Sequence, residues 1–285
     1  MSHVEIGHDC ARAAAPLTPV VCKVVGITQE TADVKALRIQ ALDGSRPFAC
    51  EPGQTAMLSA LPYGECMFCV SSQGDDYLEF TVKRVGYVTE QLHMLGVGDQ
   101  VGLRGPYGNW FPYNSCKGKD VLFVGGGIGL APLRSLLTFI LAHRSDYGRI
   151  DLVYSGSTKD DLLFMQDILH VWPHEPNTHM HVSVYHGSDD WDGAVAYTAP
   201  FLESLSFATD NRVAVLCGGP SLFRTCLEAL EKTGFDPHDI ITTLEMRMKC
   251  GIGKCGRCNI GGKYICLDGP VFTLAELQGL PWSAH

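Results

Sequence analysis

The sequence predicts a multidomain protein in three parts: a small antiparallel β-barrel, a parallel α/β sheet and a short cysteine-rich subdomain. Three observations carry that expectation. Six β-rich runs, bounded by Gly and Pro turns, fill the region up to residue 104. Beyond it, continuous apolar strands alternate with helix-period segments, the pattern of a parallel sheet. Four of the twelve cysteines then fall between residues 250 and 266. A length of 285 residues leaves room for two or three domains, and 46% hydrophobic against 19% charged residues excludes wholesale disorder.

The elements follow in order. Residues 1–17 are expected to be a loose extension, and His3, His8 and Cys10 within it carry no recognisable metal spacing. A barrel over 18–115 is read from strands at 20–27, 34–40, 55–58, 67–71, 77–82 and 100–104. Asp43-Gly44, Pro52-Gly53, Pro62-Tyr63-Gly64 and Gly74-Asp75 punctuate them. A helical window at 89–95 interrupts the series, with Thr89 as its expected N-cap. The α/β part, 116–240, opens on a buried strand at 121–124. Leu133, Leu136, Leu137, Ile140 and Leu141 then recur on one helix face. Strands at 150–154, 181–185, 212–216 and 240–244, with helices at 162–169 and 221–232, complete the alternation. Residues 241–285 lack periodicity and are expected to be organised by a metal centre rather than by a core.

Lys and Arg number 22 against 31 Asp and Glu, a formal charge of −9. With no basic run, nucleic acid and anionic membrane surfaces are poor partners. No stretch approaches the ~20 apolar residues of a membrane span; 121–141 is interrupted by four glycines, Pro132 and Arg134. The first fifteen residues have no apolar core, so no secretory signal is expected and the expected compartment is the cytoplasm. Thiols stay reduced there, so the cysteines are expected as ligands or small buried hydrophobes. His170, His174, His179, His181 and His186 share no helix face and are read as surface residues.

Cys250, Cys255, Cys258 and Cys266 are spaced C-x4-C-x2-C-x7-C, and the first three match the plant-type [2Fe–2S] loop. Gly251, Gly253 and Gly256 free the backbone to wrap a cluster and aim N–H groups at sulfur. Zinc also takes four cysteines, but its sites favour paired C-x2-C knuckles and only one is present. A [2Fe–2S] cluster is the favoured reading and structural zinc the alternative. Upstream, the strand at 121–124 runs into Gly125-Gly126-Gly127-Ile128-Gly129 and a helix start. Such a turn brings the backbone close to a pyrophosphate at a helix N-terminus. Leu130 stands where the third glycine of G-x-G-x-x-G belongs, which leaves Gly127-x-Gly129-x-x-Pro132. A second turn, Cys217-Gly218-Gly219-Pro220, also follows an apolar strand, so the two are placed to form one crevice. A tight β–α turn without ligand is the alternative for each.

The order of these features resembles the ferredoxin–NADP reductase superfamily. The residues that carry the resemblance are Pro52-Gly53-Gln54, the strand at 67–72, Gly86-x-x-Thr89, Gly98-Asp99, Arg104-Gly105-Pro106-Tyr107-Gly108, Gly127-x-Gly129-x-x-Pro132, Asp161-Leu162-Leu163-Phe164 and Cys217-Gly218-Gly219-Pro220. The tail Leu244-Glu245-Met246-Arg247-Met248-Lys249-Cys250-Gly251, with its cysteines, narrows it. It is similar to iron–sulfur flavoprotein electron-transfer subunits: the gamma subunit of cytoplasmic NiFe hydrogenase or sulfhydrogenase, the corresponding subunit of anaerobic sulfite reductase, and the electron-transfer subunit of dihydroorotate dehydrogenase B. The resemblance spans about residues 18–280.

It implies an FAD barrel, an NAD(P)-binding domain and a C-terminal [2Fe–2S] subdomain. The enzyme implied is an NAD(P)H oxidoreductase serving as one subunit of a redox complex. By position, Cys66, Met67, Phe68 and Cys69 match the family's R-x-Y-S flavin motif, with Phe68 against the isoalloxazine and Cys69 in the serine's place. Thr81, Val82 and Lys83 match the second FAD strand, and Val88 and Thr89 the pyrophosphate helix. Gly125, Gly126, Gly127, Ile128 and Gly129, with Cys217, Gly218, Gly219 and Pro220, match nicotinamide-nucleotide contacts, Cys217 lying near the hydride path. Cys66 departs from the family's arginine, and Lys83 or Arg84 is the expected substitute for its charge. After the second strand of the α/β part, Lys159 is followed by Asp160 and Asp161, which favours NAD(H) over NADP(H). Glu245 is read either as a tuner of flavin or cluster potential or as an ordinary solvated carboxylate. Arg247, Lys249, Lys254 and Arg257 are read as a solvated face or a docking rim. Two other functions stay open: a nucleotide-sensing adaptor with a zinc clip, and a stand-alone flavin oxidoreductase, which the cluster disfavours.

Overall fold

The computed structural model describes residues 16–244 and 247–281. Strands β1 (Val20–Thr31), β2 (Val34–Ala41), β3 (Thr55–Ala60), β4 (Gly64–Gln73), β5 (Leu78–Lys83) and β6 (Gln100–Tyr107) close into an antiparallel barrel, ordered β1-β2-β5-β4-β3-β6. Val24, Leu37, Ile39, Leu58, Phe80, Val82 and Leu103 fill its interior, and α1 (Tyr87–Met94) packs Leu92 into the same core. Closure leaves no free strand edge. β1 runs four residues past its expected end, where half-exposed positions hide the two-residue period.

Strands β7 (Asp120–Gly126), β8 (Ile150–Gly156), β9 (Thr178–Val184), β10 (Ala194–Val195), β11 (Arg212–Cys217) and β12 (Ile240–Thr243) form a parallel sheet in the order β10-β9-β8-β7-β11-β12. Helices α2 (Leu130–Ala142) and α3 (Met165–His170) bury one face of it. Helices α4 (Thr198–Leu205) and α5 (Pro220–Thr233) bury the other. The helical face read from the sequence is the buried one: Leu133, Leu136, Leu137 and Ile140 are fully enclosed. The segment 162–164, read as helix, is instead a buried loop. Phe164 takes a left-handed φ of 54°, and α3 starts only after it.

The tail departs most from expectation. It folds as β13 (Asn259–Ile260), β14 (Lys263–Tyr264), α6 (Ile265–Asp268), β15 (Val271–Thr273) and α7 (Leu274–Gln278). Leu244, Met248, Ile260, Ile265, Phe272 and Leu277 give it a small apolar core of its own, together with Cys258 and Cys266. β15 also joins the large sheet, antiparallel beside β12.

The barrel and the sheet are tied by an ion cluster around the buried Glu79. Arg134 of α2 reaches Glu79 of β5 at 2.5 Å and Asp167 of α3 at 3.0 Å, while Arg38 of β2 takes the other Glu79 oxygen at 2.8 Å. Among the described residues no helix is long and apolar enough to cross a membrane.

Candidate active site and cysteine loop

β7 and β11 lie side by side at the centre of the sheet, and their following helices depart to opposite faces. A crevice opens outside the carboxyl ends of such a strand pair. Gly125 and Gly126 end β7, and Gly127–Gly129 form one tight turn into α2. A Cβ on Gly129 would lie 2.5 Å from the Cys217 carbonyl oxygen and 2.7 Å from Gly218 Cα, so the two glycine turns touch. Pro220 occupies the first position of α5, where its missing N–H costs nothing. Cys217 is buried, and the Thr243 hydroxyl donates to its Sγ at 3.0 Å. A cavity of about 230 Å³ beside the turns is lined by Gly127, Ile128, Ser155, Asp161 and Tyr185, with Lys83 from the barrel. Past β8, the Asp161 carboxylate accepts from the Thr158 N–H and hydroxyl, and Lys159 pairs with Asp190.

Cys66, Met67, Phe68 and Cys69 are all half-buried along β4. Phe68 leans on the barrel core and Met67 on the tail core. Burial holds the Cys66 thiol above its ordinary value, against the pull of the nearby Lys249 cation. The start of β4 sits against the start of α1: a Cβ on Gly64 would come within 3.1 Å of a Val88 methyl. Thr81 and Val82 are both buried but on opposite faces of β5: Val82 is in the barrel core, and the Thr81 hydroxyl donates to Ser71 at 2.9 Å. Lys83 is half-exposed and pairs with Asp33 at 3.4 Å, whereas Arg84 makes no ion pair among the described residues. Thr89 is not the helix N-cap. Gly86 holds that place, and the Thr89 hydroxyl folds back to accept from the N–H groups of Val85 and Gly86 at 2.9 and 3.0 Å.

The four loop cysteines gather as two pairs. Cys250 neighbours Cys255, and Cys258 neighbours Cys266. Gly251, Gly253 and Gly256 all take left-handed φ angles of 69–76°, which wraps the backbone around these sulfurs. Cys250 Sγ accepts from the N–H groups of Ile252, Lys254 and Cys255 at 3.4, 3.3 and 3.4 Å, and Cys266 Sγ from Gly253 at 3.2 Å. Burial would raise the Cys250 thiol, but these N–H groups and the Cys255 thiol outweigh it and bring it down to about 7. Burial and the neighbouring Cys258 push Cys266 up. Two thiol pairs with N–H groups aimed at sulfur suit a two-iron cluster.

Glu245 lies outside the described residues, as do His3, His8 and Cys10. His181 is not a free surface residue; its Nε2 meets the buried Asp151 at 3.0 Å. Arg104 and Asn109 reach the cysteine tail although nothing in their local pattern announces it, because their partners lie some 145 and 162 residues away.

The chain is 35% identical to sulfhydrogenase 1 subunit gamma of Pyrococcus furiosus over 269 residues, which cover 92% of this chain and 91% of that one. It is 30% identical to the probable dihydroorotate dehydrogenase B (NAD(+)) electron transfer subunit of Methanocaldococcus jannaschii, with 91% of each covered. The chain belongs to this family of electron-transfer subunits. Within that family frame, residues 123–228 match the oxidoreductase NAD-binding domain. Residues 245–278, which contain all four loop cysteines, match the iron–sulfur cluster binding domain of dihydroorotate dehydrogenase B. The subunit also shares its fold with the NADH-dependent reduced ferredoxin–NADP oxidoreductase, at a TM-score of 0.74 and 22% identity, over 92% of this chain and 90% of that one. The iron–sulfur reading of the cysteine loop therefore stands over the zinc alternative.

Proposed function

We propose that this chain is the NAD(H)-dependent electron-transfer subunit of a cytoplasmic multisubunit redox complex. It would hold FAD on the barrel (18–115), NAD(H) on the α/β domain (116–240) and a [2Fe–2S] cluster on the tail (241–285). One observation carries the reading. Met67 of the flavin strand β4 packs into the tail core that contains Cys258 and Cys266, and Leu244 of that core directly follows Thr243, the partner of Cys217. Flavin strand, nucleotide crevice and cysteine loop thus meet at one junction.

In this reading the backbone of Gly125, Gly126, Gly127, Ile128 and Gly129, with Gly218, Gly219 and Pro220, cradles the dinucleotide, and Cys217 lines the hydride path. Phe68 flanks the flavin ring, with Cys66, Met67 and Cys69 beside it. The backbone of Thr81 and Val82, Lys83, and the Val88–Thr89 turn line the rest of that site, and Arg84 supplies the cation that Cys66 does not. Cys250, Cys255, Cys258 and Cys266 ligate the irons, and Glu245 biases the potentials. Flavin and cluster, when bound, would pass on the two electrons of one hydride singly. The turn after β8 disfavours a 2′-phosphate, since Lys159 is engaged by Asp190 and the exposed Asp160 and Asp161 place negative charge there. The electrons pass to or from a partner subunit of hydrogenase-like or of sulfite- or heterodisulfide-reductase-like kind.

Anaerobic isolation tests this. The expected product carries about one FAD and two irons per chain. It is reduced by NADH at least about tenfold faster than by NADPH, the scale of a lost charged contact. Colourless protein with one zinc would overturn the proposal in favour of the adaptor.

A further inference from the structure

The segment Arg104-Gly105-Pro106-Tyr107-Gly108-Asn109 reads in sequence as a rigid turn, and no role above uses it. In the fold it runs from the end of β6 beneath the cysteine tail. The Arg104 side chain is 5% exposed, and its five N–H groups meet five acceptors. Nε and Nη2 clasp the two Glu65 oxygens at 3.0 and 2.5 Å. Nη2 also donates to the Lys249 carbonyl at 2.9 Å, and Nη1 to the Tyr107 hydroxyl at 3.0 Å and the Cys250 carbonyl at 2.6 Å. Gly251 rests on the Tyr107 ring, where a Cβ would come within 2.7 Å. At the far end, the Asn109 side chain donates to the Val271 carbonyl at 2.7 Å and accepts from its N–H at 2.9 Å. Glu65 directly precedes Cys66 on β4.

We propose that Arg104 is a positioning residue for the cluster: it clamps the first ligand, Cys250, to the flavin strand β4 and sets a buried cation beside that ligand. The inference rests on the flavin and iron–sulfur reading above. With its carbonyl pinned, Cys250 keeps its sulfur turned to the N–H groups of Ile252, Lys254 and Cys255. A planar guanidinium holds four groups in a fixed fork, which a lysine ammonium with three donors does not. A nearby cation favours the more negative, reduced form of a cluster.

The test compares anaerobically isolated holoprotein with Arg104→Met and Arg104→Lys, by redox titration of the cluster's electron paramagnetic resonance signal and by hydrogen exchange of amides 250–255. In Arg104→Met the reduced-to-oxidised ratio at a fixed potential is expected to fall about tenfold, which is ~59 mV for one electron. Arg104→Lys keeps the charge, so its midpoint stays near wild type while amides 250–255 exchange faster. An iron-loaded Arg104→Met with the wild-type midpoint overturns the proposal. Where Arg104→Met retains no iron, Arg104→Lys decides, and unchanged exchange there overturns it. Wild-type protein without iron would instead overturn the cluster reading itself.

Discussion

Lys83 and Arg84 stand next to each other at the end of β5, and the sequence offers both as replacements for the arginine that Cys66 displaces. Their surroundings separate them. Lys83 spends part of its charge on Asp33, while Arg84 keeps its guanidinium open among the described residues. Arg84→Ala is therefore expected to weaken flavin binding about tenfold, the worth of one charge-assisted hydrogen bond of about 1.5 kcal/mol, and Lys83→Ala less. Flavin dissociation constants from fluorescence titration check the order; a larger effect at Lys83 would reverse the assignment. The cysteine spacing is legible because metal chemistry fixes such a pattern locally. The Arg104 clamp is not, because its two acceptors in the cysteine tail are backbone carbonyls, of Lys249 and Cys250, which any residue supplies.

At the scale of elements, legibility followed periodicity. All six barrel strands and the long helices α2 and α5 announce themselves by alternation or by a repeating apolar face. α4 does not: it has eight residues, with Pro200 in its first turn. α3 was mistimed because Leu162, Leu163 and Phe164 are buried in a loop, and burial without period mimics a helix face. The contact between the glycine turns gives a prediction. Gly129→Ala pushes a methyl into the backbone of Cys217 and Gly218, which no rotamer relieves. It is expected to cost about 2 kcal/mol and raise the KM for NADH, measured by thermal unfolding and steady-state kinetics. A second prediction concerns the sheet's other end, where Asp151 of β8 is fully buried and meets Arg149, His181 and Arg212. Burial would raise its carboxyl, but these partners lower it to about 2. A depressed folded value stabilises above the unfolded one, near 4, and that support drains away as pH falls from about 4 to about 2. Roughly 2 kcal/mol is lost across that window, and Asp151→Asn removes that dependence in acid denaturation.

For the whole molecule, the decisive contacts cross between parts. Arg134 joins barrel to sheet through Glu79, whose side chain is 3% exposed. Arg134→Leu leaves that carboxylate with Arg38 alone. The expected cost is about 3 kcal/mol, with barrel and sheet unfolding as two calorimetric transitions instead of one; a single transition at the wild-type temperature would refute this.

The tail strand β15 has its own consequence for how the chain can be cut. It covers the outer hydrogen-bonding row of β12, so the cysteine subdomain doubles as the cap of the large sheet. A fragment ending at Leu244 would bare that row, and an open strand of buried Ile240, Ile241, Thr242 and Thr243 is a template for pairing with another copy. Removing the tail is thus expected to leave a fragment that associates through its newly bared sheet edge.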